Sequence, residues 1–272
     1  MISVSTVVCD GYEMARGFAI LADAGVQRVE PAFIEGYVEF DETSFSDTHA
    51  AQMRSALANA GLDALALSAH VDLGFEESAD QLKRRLDFAS AIGARILITN
   101  ASTLPHLSAF YTALNVCLPH IESLGITLAL ENPGHGEASI IPDGKTGTRL
   151  IKRLGHPQVR LNYDVGNAIT YGHLRGALQD DLAAALPSCA HLHFKDVIED
   201  GRDWNFCAIG DGIVDYRSVL ATMADTQIPL PIGLELPLRL TRPKRGDPVR
   251  RSEHATIPAI HEAVRTSMQF VV

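Results

Sequence analysis

Residues 95–131, RILITNASTLPHLSAFYTALNVCLPHIESLGITLALE, hold the pattern that decides the fold. The apolar run at 95–100 predicts a buried strand, 108–124 has the period of a helix, and 127–131 is again typical of a strand. Gly125 suits the left-handed position that ends a helix before the next strand. This stretch therefore predicts one strand–helix–strand unit.

The same alternation continues along the whole chain. Further strands are predicted at 3–9, 27–31, 64–70, 160–164, 191–195 and 232–236, which makes eight, and further helices at 48–60, 79–92, 216–224 and 253–268. Gly61 and Gly93 are placed to end two of these helices. Because no linker or low-complexity stretch divides the chain, the sequence predicts an α/β fold, one (β/α)8 TIM barrel domain over residues 1–272.

Composition and missing motifs exclude several classes of protein. Acidic residues outnumber basic ones by 33 to 23, so the net charge of −10 disfavours a nucleic-acid partner. No stretch approaches the ~18 apolar residues that span a bilayer, and no cationic leader precedes the first apolar run, so neither a membrane nor export is expected. The four cysteines form no C-x-x-C pair, which favours a reduced, cytoplasmic protein.

Signatures of common α/β enzymes are also missing. The chain has no G-x-G-x-x-G after a strand, no G-x-x-x-x-G-K-[ST] loop and no G-x-S-x-G elbow. These absences disfavour an open dinucleotide-binding sheet, nucleotide hydrolysis and serine hydrolysis. A closed barrel remains the leading architecture.

Polar residues gather at the ends of the last four predicted strands. Alternate strand residues face inward, and barrel active sites lie at the carboxyl ends of the strands. By this parity Glu131, Asp164 and Glu235 point into the barrel, together with one line of polar residues in HLHFKD at 191–196. Each residue alone could cap a helix or form an ordinary hydrogen bond. Isolated buried carboxylates are costly, so together they favour a metal site.

Three carboxylates and one imidazole predict one divalent metal ion as cofactor. Oxygen-rich ligation suits Mn, Mg or Co, and Zn also accepts such ligands. From the residues alone, the histidine is either His191 or His193.

Four segments carry a family resemblance: ALENPGHGE (129–137), RLNYDVGNA (160–168), HLHFKD (191–196) and GLELP (233–237). They resemble the metal-site strands of the xylose isomerase-like TIM barrel superfamily, the sugar phosphate isomerase/epimerase family, and the likeness covers essentially the whole chain. The resemblance selects His193 as the imidazole ligand and implies that His191 packs deeper. The metal ligands that it implies are Glu131, Asp164, His193 and Glu235.

The resemblance also implies residues that bind substrate. Ketose 3-epimerases of this family have a glutamate six positions after the first metal glutamate and a histidine three after the metal aspartate. Here these positions hold Glu137 and Asn167, so the second departs from the family pattern. His70 and Glu30 resemble residues that line the pocket, although each could be a hydrogen-bonded rim residue. Lys195 is placed to polarise a substrate oxygen or to pair with an acid.

The apurinic endonucleases share this barrel but need three zinc ions and further histidines. Asn100, Asn167 and the segment GDGIVD occupy places where those histidines would be expected. Together with the acidic charge, these differences disfavour DNA repair.

The chemistry expected of such a site is proton transfer next to a carbonyl. A metal-dependent isomerase or epimerase of a keto-sugar, or of a related small hydroxy-carbonyl compound, would work through an enediolate, with Glu131 and Glu235 as base and acid. A dehydratase of the inosose or dehydroshikimate type would use the same parts. A noncatalytic sugar-binding barrel is the third hypothesis, although such a protein would be expected to have lost a metal ligand.

Two further features leave alternatives open. The basic loop 239–251 could hold a carboxylate or phosphate of the substrate, or it could be a solvated or subunit-contact loop. Members of the family are often dimers or tetramers, so the resemblance allows a homo-oligomer. The substrate itself depends on loops whose shape one sequence does not fix.

Overall fold

A computed structural model describes residues 1–133, 138–172, 174 and 176–272. The barrel strands are β1 Ile2–Ser5, β2 Arg28–Glu30, β3 Ala32–Phe33, β4 Asp63–Ala64, β5 Ala66–Ala69, β6 Ile96–Asn100, β7 Thr127–Glu131, β8 Val159–Asp164, β9 Cys189–Phe194 and, later in the chain, β12 Ile232–Leu234. A second sheet contains β10 Asp196–Asp200, β11 Asp203–Cys207, β13 Leu240–Arg242 and β14 Val249–Arg250. The helices are α1 Met14–Asp23, α2 Asp47–Ala60, α3 Ser78–Ile92, α4 Leu107–Leu124, α5 Gly144–Leu154, α6 Val165–Thr170, α7 Leu178–Ala185, α8 Tyr216–Thr226 and α9 Ile257–Val271.

The ten parallel strands close into an eight-position barrel, which confirms the predicted fold class. β2 pairs with β1 on one side and β4 on the other, while β3 pairs with β5, so two positions are each built from two short strands. Pro31 separates β2 from β3 because it has no N–H for the ladder. Its carbonyl still accepts a hydrogen bond from the Ser68 N–H at 2.9 Å, so the barrel continues across the break.

The register places the predicted site residues at neighbouring points of the barrel. Glu131 pairs with Asn162, and Asp164 pairs with His193 in the next ladder. Glu235 follows the last residue of β12, and its N–H donates to the carbonyl of Phe194 at 2.9 Å. The ends of β7, β8, β9 and β12 thus meet at one rim of the barrel, as parallel strands require.

Three helices end at the glycines that the sequence predicted would end them. Gly61, Gly93 and Gly125 end α2, α3 and α4 in the left-handed conformation, with φ of 67°, 88° and 63°. The predicted first strand is wrong beyond Ser5, because Thr6–Cys9 forms a 3-10 turn. The apolar side chains of this turn are nevertheless buried, so the hydrophobic run alone did not separate turn from strand.

The second sheet was not predicted. It begins directly after β9, and thus on the rim where the site lies, and its core contains Val197, Trp204, Phe206 and Leu240. Part of the segment 239–251, predicted to be a loop, forms β13 and β14 of this sheet. No helix within the described part of the chain is long and apolar enough to cross a membrane.

Candidate metal centre

Three of the four predicted metal ligands approach one another closely. Glu131, Asp164 and His193 each offer a ligand atom within 4.8 Å of the others, and all three are buried. Glu235 is also buried, but it belongs to neither of the two clusters of this kind found among the described residues. Its carboxylate is instead bonded to Lys195.

The ring of His193 is oriented by a carboxylate on its far side. Its Nε2 donates to Oε1 of Glu30 at 2.8 Å, while its Nδ1 lies 3.2 Å from Oε2 of Glu131. When Nε2 carries the proton, two lone pairs face each other at this distance, and a further proton or a metal ion is needed between them. A carboxylate behind a histidine is the usual arrangement at protein metal sites.

Asn162 links Glu131 with His193 and His191. Its Nδ2 donates to Oε2 of Glu131 at 2.9 Å and lies 3.0 Å from Nδ1 of His193, while its Oδ1 accepts from Nδ1 of His191 at 2.9 Å. The sequence placed Asn162 on the inward face but did not nominate it for the site. Parity was the signal available, because it aligned Asn162 with Asp164.

Glu30, His191 and His193 form a second cluster, which shares His193 with the first. Oε2 of Glu30 and Nε2 of His191 are 3.5 Å apart, and neither has a hydrogen-bond partner within the described chain. Glu30 is fully buried and does not line the cavity described below. The structure therefore brings Glu30 against the histidines, while its predicted contact with substrate stays a prediction.

Lys195 supplies a positive charge beside two of the acids. Its Nζ lies 2.7 Å from Oδ2 of Asp164 and forms a shorter bond with Glu235. The other oxygen of Asp164 accepts from the Asn167 N–H and so caps α6. Asp164 therefore has the capping role that each strand-end acid could have, and it still directs one oxygen towards the cation.

Burial and neighbouring charges shift the protonation of these groups. Burial raises the pKa of Asp164 to about 6 and lowers that of His191 to about 4. Burial also tends to raise the pKa of Glu131, but the charge and hydrogen bond of His193 outweigh it and lower the pKa to about 2. For His193, the two glutamates outweigh burial and raise the pKa well above its ordinary value.

The donor set fits a divalent metal ion. It offers carboxylate oxygens and one oriented imidazole, which are ligands of Mn, Mg, Co and Zn. Oδ2 of Asp164 accepts no well-directed hydrogen bond, although the Lys195 cation is close to it. This oxygen is ion-paired with Lys195, and a carboxylate oxygen of this kind can also bind a metal ion.

A cavity of about 550 Å³ opens above these residues. Of the predicted substrate-binding residues, His70, Asn167 and Lys195 line it, and Glu137 lies outside the described residues. Nδ2 of Asn167 donates to Oε1 of Glu131 at 3.0 Å, whereas its Oδ1 is buried without a partner in the described chain. A larger groove between α1 and α2 contains none of the predicted site residues.

Comparisons with known proteins agree with this architecture. The family model of the xylose isomerase-like TIM barrel matches residues 18–255. A D-allulose 3-epimerase from Methylomonas sp. is 16% identical, with 98% of this chain and 96% of that one covered and a TM-score of 0.72. A 3-keto-D-glucoside 4-epimerase from E. coli is 15% identical, with 98% of each chain covered and a TM-score of 0.71.

A third solved structure, the probable 3-DHS dehydratase of Bacillus anthracis, is 13% identical over 99% of this chain and 98% of that one, with a TM-score of 0.68. No curated protein matches the sequence significantly. At these identities the likeness to solved structures concerns the fold.

Proposed function

Because the chain belongs to the family of xylose isomerase-like TIM barrels, we propose that it is a divalent-metal-dependent isomerase or epimerase. Its substrate would be a keto-sugar or a related small hydroxy-carbonyl compound, and it would act in the cytoplasm, where its four unpaired cysteines stay reduced. The observation that carries the proposal is the approach of Glu131, Asp164 and His193 beneath a cavity of small-molecule size.

The metal would be held by Glu131, Asp164, His193 and Glu235. When bound, it supplies a Lewis acid that stabilises negative charge developing on substrate oxygens. Mn, Mg or Co suits the oxygen-rich set best, and Zn is the further candidate. His193 would bind through Nδ1, because its Nε2 is committed to Glu30.

Proton transfer would be carried out by Glu131 and Glu235. One glutamate, ionised at the start, removes the proton from the carbon next to the carbonyl, which gives an enediolate, and the other, which starts as a carboxylic acid, donates its proton to the enediolate. Delivery to the opposite face of the same carbon gives an epimer, and delivery to the neighbouring carbon gives an isomer. Asn162 and Asn167 each donate to one oxygen of Glu131, so they fix its direction and help to keep it ionised.

Other residues of the cavity would bind and orient the substrate. His70, whose pKa burial lowers, would face the substrate as a neutral imidazole. The free Oδ1 of Asn167 would accept a hydrogen bond from a substrate hydroxyl. Lys195 would hold the carboxylates of Asp164 and Glu235 and donate to a substrate oxygen. Glu137 and Glu30 are the further substrate contacts that the resemblance implies.

A dehydratase is the second candidate. The neighbour described as a probable 3-DHS dehydratase has the same fold over nearly the whole of both chains. Such an enzyme would remove the same proton and then expel a β-hydroxyl group as water. The two candidates therefore differ in whether the product has lost water.

Deuterium incorporation tests the proposal and separates the candidates. The manganese-loaded enzyme is incubated in D2O with a panel of ketoses, inososes and dehydroshikimate, the protein and metal are removed, and the products are measured by proton NMR and mass spectrometry. We expect deuterium next to the carbonyl and no other mass change. An alkene signal with loss of water would identify the dehydratase instead.

Matched variants connect the reaction to the site. Glu131→Gln and Glu235→Gln should each lower the exchange rate by about 10²-fold or more, since each removes a proton-transfer group. Glu122→Gln removes an exposed carboxylate from α4 and should leave the rate unchanged. No exchange by metal-loaded wild-type protein on any compound of the panel or on a hydroxy-carbonyl acid such as D-fructuronate would overturn the proposal, and equal rates for all three variants would overturn the assigned residues.

A further inference from the structure

Arg242 is a buried cation in the second sheet, beside the barrel rim. Its side chain is 2% exposed. Its Nε donates to the carbonyl of Gly246 at 2.7 Å, and its Nη2 donates to the carbonyl of Arg245 at 3.2 Å. Neighbouring arginines of the same segment behave differently, since Arg239 and Arg250 both form ion pairs with Asp10. Within the described chain, no acid forms an ion pair with Arg242.

One nitrogen of this guanidinium therefore has no hydrogen-bond partner among the described residues. Nη1 of Arg242 is buried and has no hydrogen-bond partner in the part of the chain that the structure describes. The guanidinium carbon lies 3.8 Å from the ring centre of Tyr171 and 5.0 Å from that of Trp204. The hydroxyl of Tyr171 is also buried without a partner. Two neighbouring donors thus lack an acceptor, an unfavourable arrangement unless a ligand provides one.

Arg242 and Tyr171 do not line the cavity of the candidate site, but two residues whose charges act on Arg242 do. Arg242 interacts electrostatically with Tyr37 and Asp247, and both of these line the cavity. The ring of Tyr37 lies 5.7 Å from Nζ of Lys195 and also packs against the core of the second sheet. Tyr37 therefore connects the metal side of the cavity with the region of Arg242.

The available donors suit a carboxylate. Nε and Nη2 of Arg242 are already bonded, so Nη1 can bind one oxygen and the Tyr171 hydroxyl a second. A phosphate would bring three oxygens and about two negative charges. Glu35, Asp72 and Asp247 line the same cavity and would repel the second charge more strongly than a single one.

We propose that Arg242 Nη1 and the Tyr171 hydroxyl form a subsite for a carboxylate group of the substrate, so that the substrate is a hydroxy-carbonyl acid and not a neutral ketose. This inference rests on the proposed function for the identity of the reacting end. The carboxylate would bind on the side of the second sheet, while the hydroxy-carbonyl end faces the acids of the barrel.

Tryptophan fluorescence gives a direct test, because Trp204 is the sole tryptophan of the chain and stacks near Arg242. The magnesium-loaded protein is titrated with D-glucuronate and with D-glucose, which differ in a carboxylate against a hydroxymethyl group, and with inorganic phosphate. We expect a saturable change with glucuronate, at least tenfold tighter than any change with glucose or phosphate.

Variants identify the groups that bind the probe. Arg242→Gln should weaken glucuronate binding at least tenfold, and Tyr171→Phe, which removes only a hydroxyl, should weaken it several-fold. Arg245→Gln removes an exposed guanidinium near the same tryptophan and should bind as wild type does. Asp247→Asn should tighten binding, because it removes a nearby negative charge. Circular dichroism checks the fold, and Arg242→Lys keeps the charge if Arg242→Gln fails to fold.

Two results would overturn the inference. Glucose bound as tightly as glucuronate, or unchanged binding in both Arg242→Gln and Tyr171→Phe, would make Arg242 a structural clamp. Phosphate bound more tightly than glucuronate would overturn the carboxylate assignment.

Deuterium exchange separates this inference from the proposed function. Exchange of D-fructose and D-fructuronate at equal efficiency would leave the proposed function standing and overturn the subsite. Carboxylate binding without deuterium exchange on any substrate would leave the subsite standing and overturn the proposed function.

Discussion

Replacing Glu30 tests whether His193 is held for metal binding by the acid behind it. Glu30 is fully buried, and its Oε1 accepts from Nε2 of His193 at 2.8 Å. Glu30→Gln keeps the shape of the side chain and one acceptor oxygen but removes the negative charge. Glu30→Ala removes the acceptor as well, so the ring of His193 loses its anchor.

The expected magnitudes follow from these differences. Loss of a partner behind a metal ligand typically weakens metal binding 10–100-fold. Glu30→Gln retains the hydrogen bond and should lie near tenfold, which is about 1.4 kcal/mol. Glu30→Ala should approach a hundredfold, or about 2.7 kcal/mol. The direct ligand change Asp164→Asn should weaken binding more than either.

Calorimetric titration of the metal-free protein with Mn²⁺ measures these affinities. Glu262→Gln, an exposed acid on α9, is the matched control and should bind as wild type does. Thermal melting of each metal-free variant confirms that the protein is folded before titration. If Glu30→Gln binds Mn²⁺ as tightly as wild type, Glu30 does not support a metal-bound His193 and the reasoning is refuted.

Three further predictions concern packing and charge. Phe88→Ala should lower the free energy of unfolding in urea by about 3–5 kcal/mol, since this buried ring packs within an aromatic cluster. Gly233→Ala should cost about 1–3 kcal/mol and weaken Mn²⁺ binding, because its Cβ would lie 2.7 Å from Glu30 and 2.8 Å from His191; an unchanged melting temperature and affinity would contradict this. At Glu42, burial raises the pKa, but two arginines of α3 outweigh it and lower the pKa in the folded state. Its stabilisation is therefore present above the unfolded pKa of about 4.3 and lost as the pH falls. Glu42→Gln should cost about 1 kcal/mol at pH 7, allowing for solvent screening, and progressively less in the same urea assay as the pH falls through the folded-state pKa.

The barrel could be predicted because its strands are covered on both faces. β7 was predicted with its observed bounds, and β6 within one residue, since buried parallel strands read as short apolar runs between helices. The second sheet could not be found this way. β11 and β13 are separated by more than thirty residues and alternate between buried and partly exposed positions, so no local pattern indicates that they pair.

The site was predicted as a set of positions but not as a set of contacts. Parity placed Glu131 and Asp164 inside the barrel, where the structure has them. Parity does not show which atoms meet, so the bridge that Asn162 forms between Glu131 and two histidines was missed. The unpartnered end of Arg242 was missed for the same reason, since burial of an arginine depends on distant parts of the chain.

The buried charges of the site favour a bound cation. In the described part of the chain, the buried acids of the site are Glu30, Glu131, Asp164 and Glu235. Lys195 is the one lysine among them, and a protonated His193 adds a second positive charge. Burial lowers the pKa of His70 and of His191, so neither contributes charge at neutral pH. Without a metal ion the acids therefore exceed the cations by two charges. A divalent ion bound to Nδ1 of His193 would replace that proton and lower the excess to one.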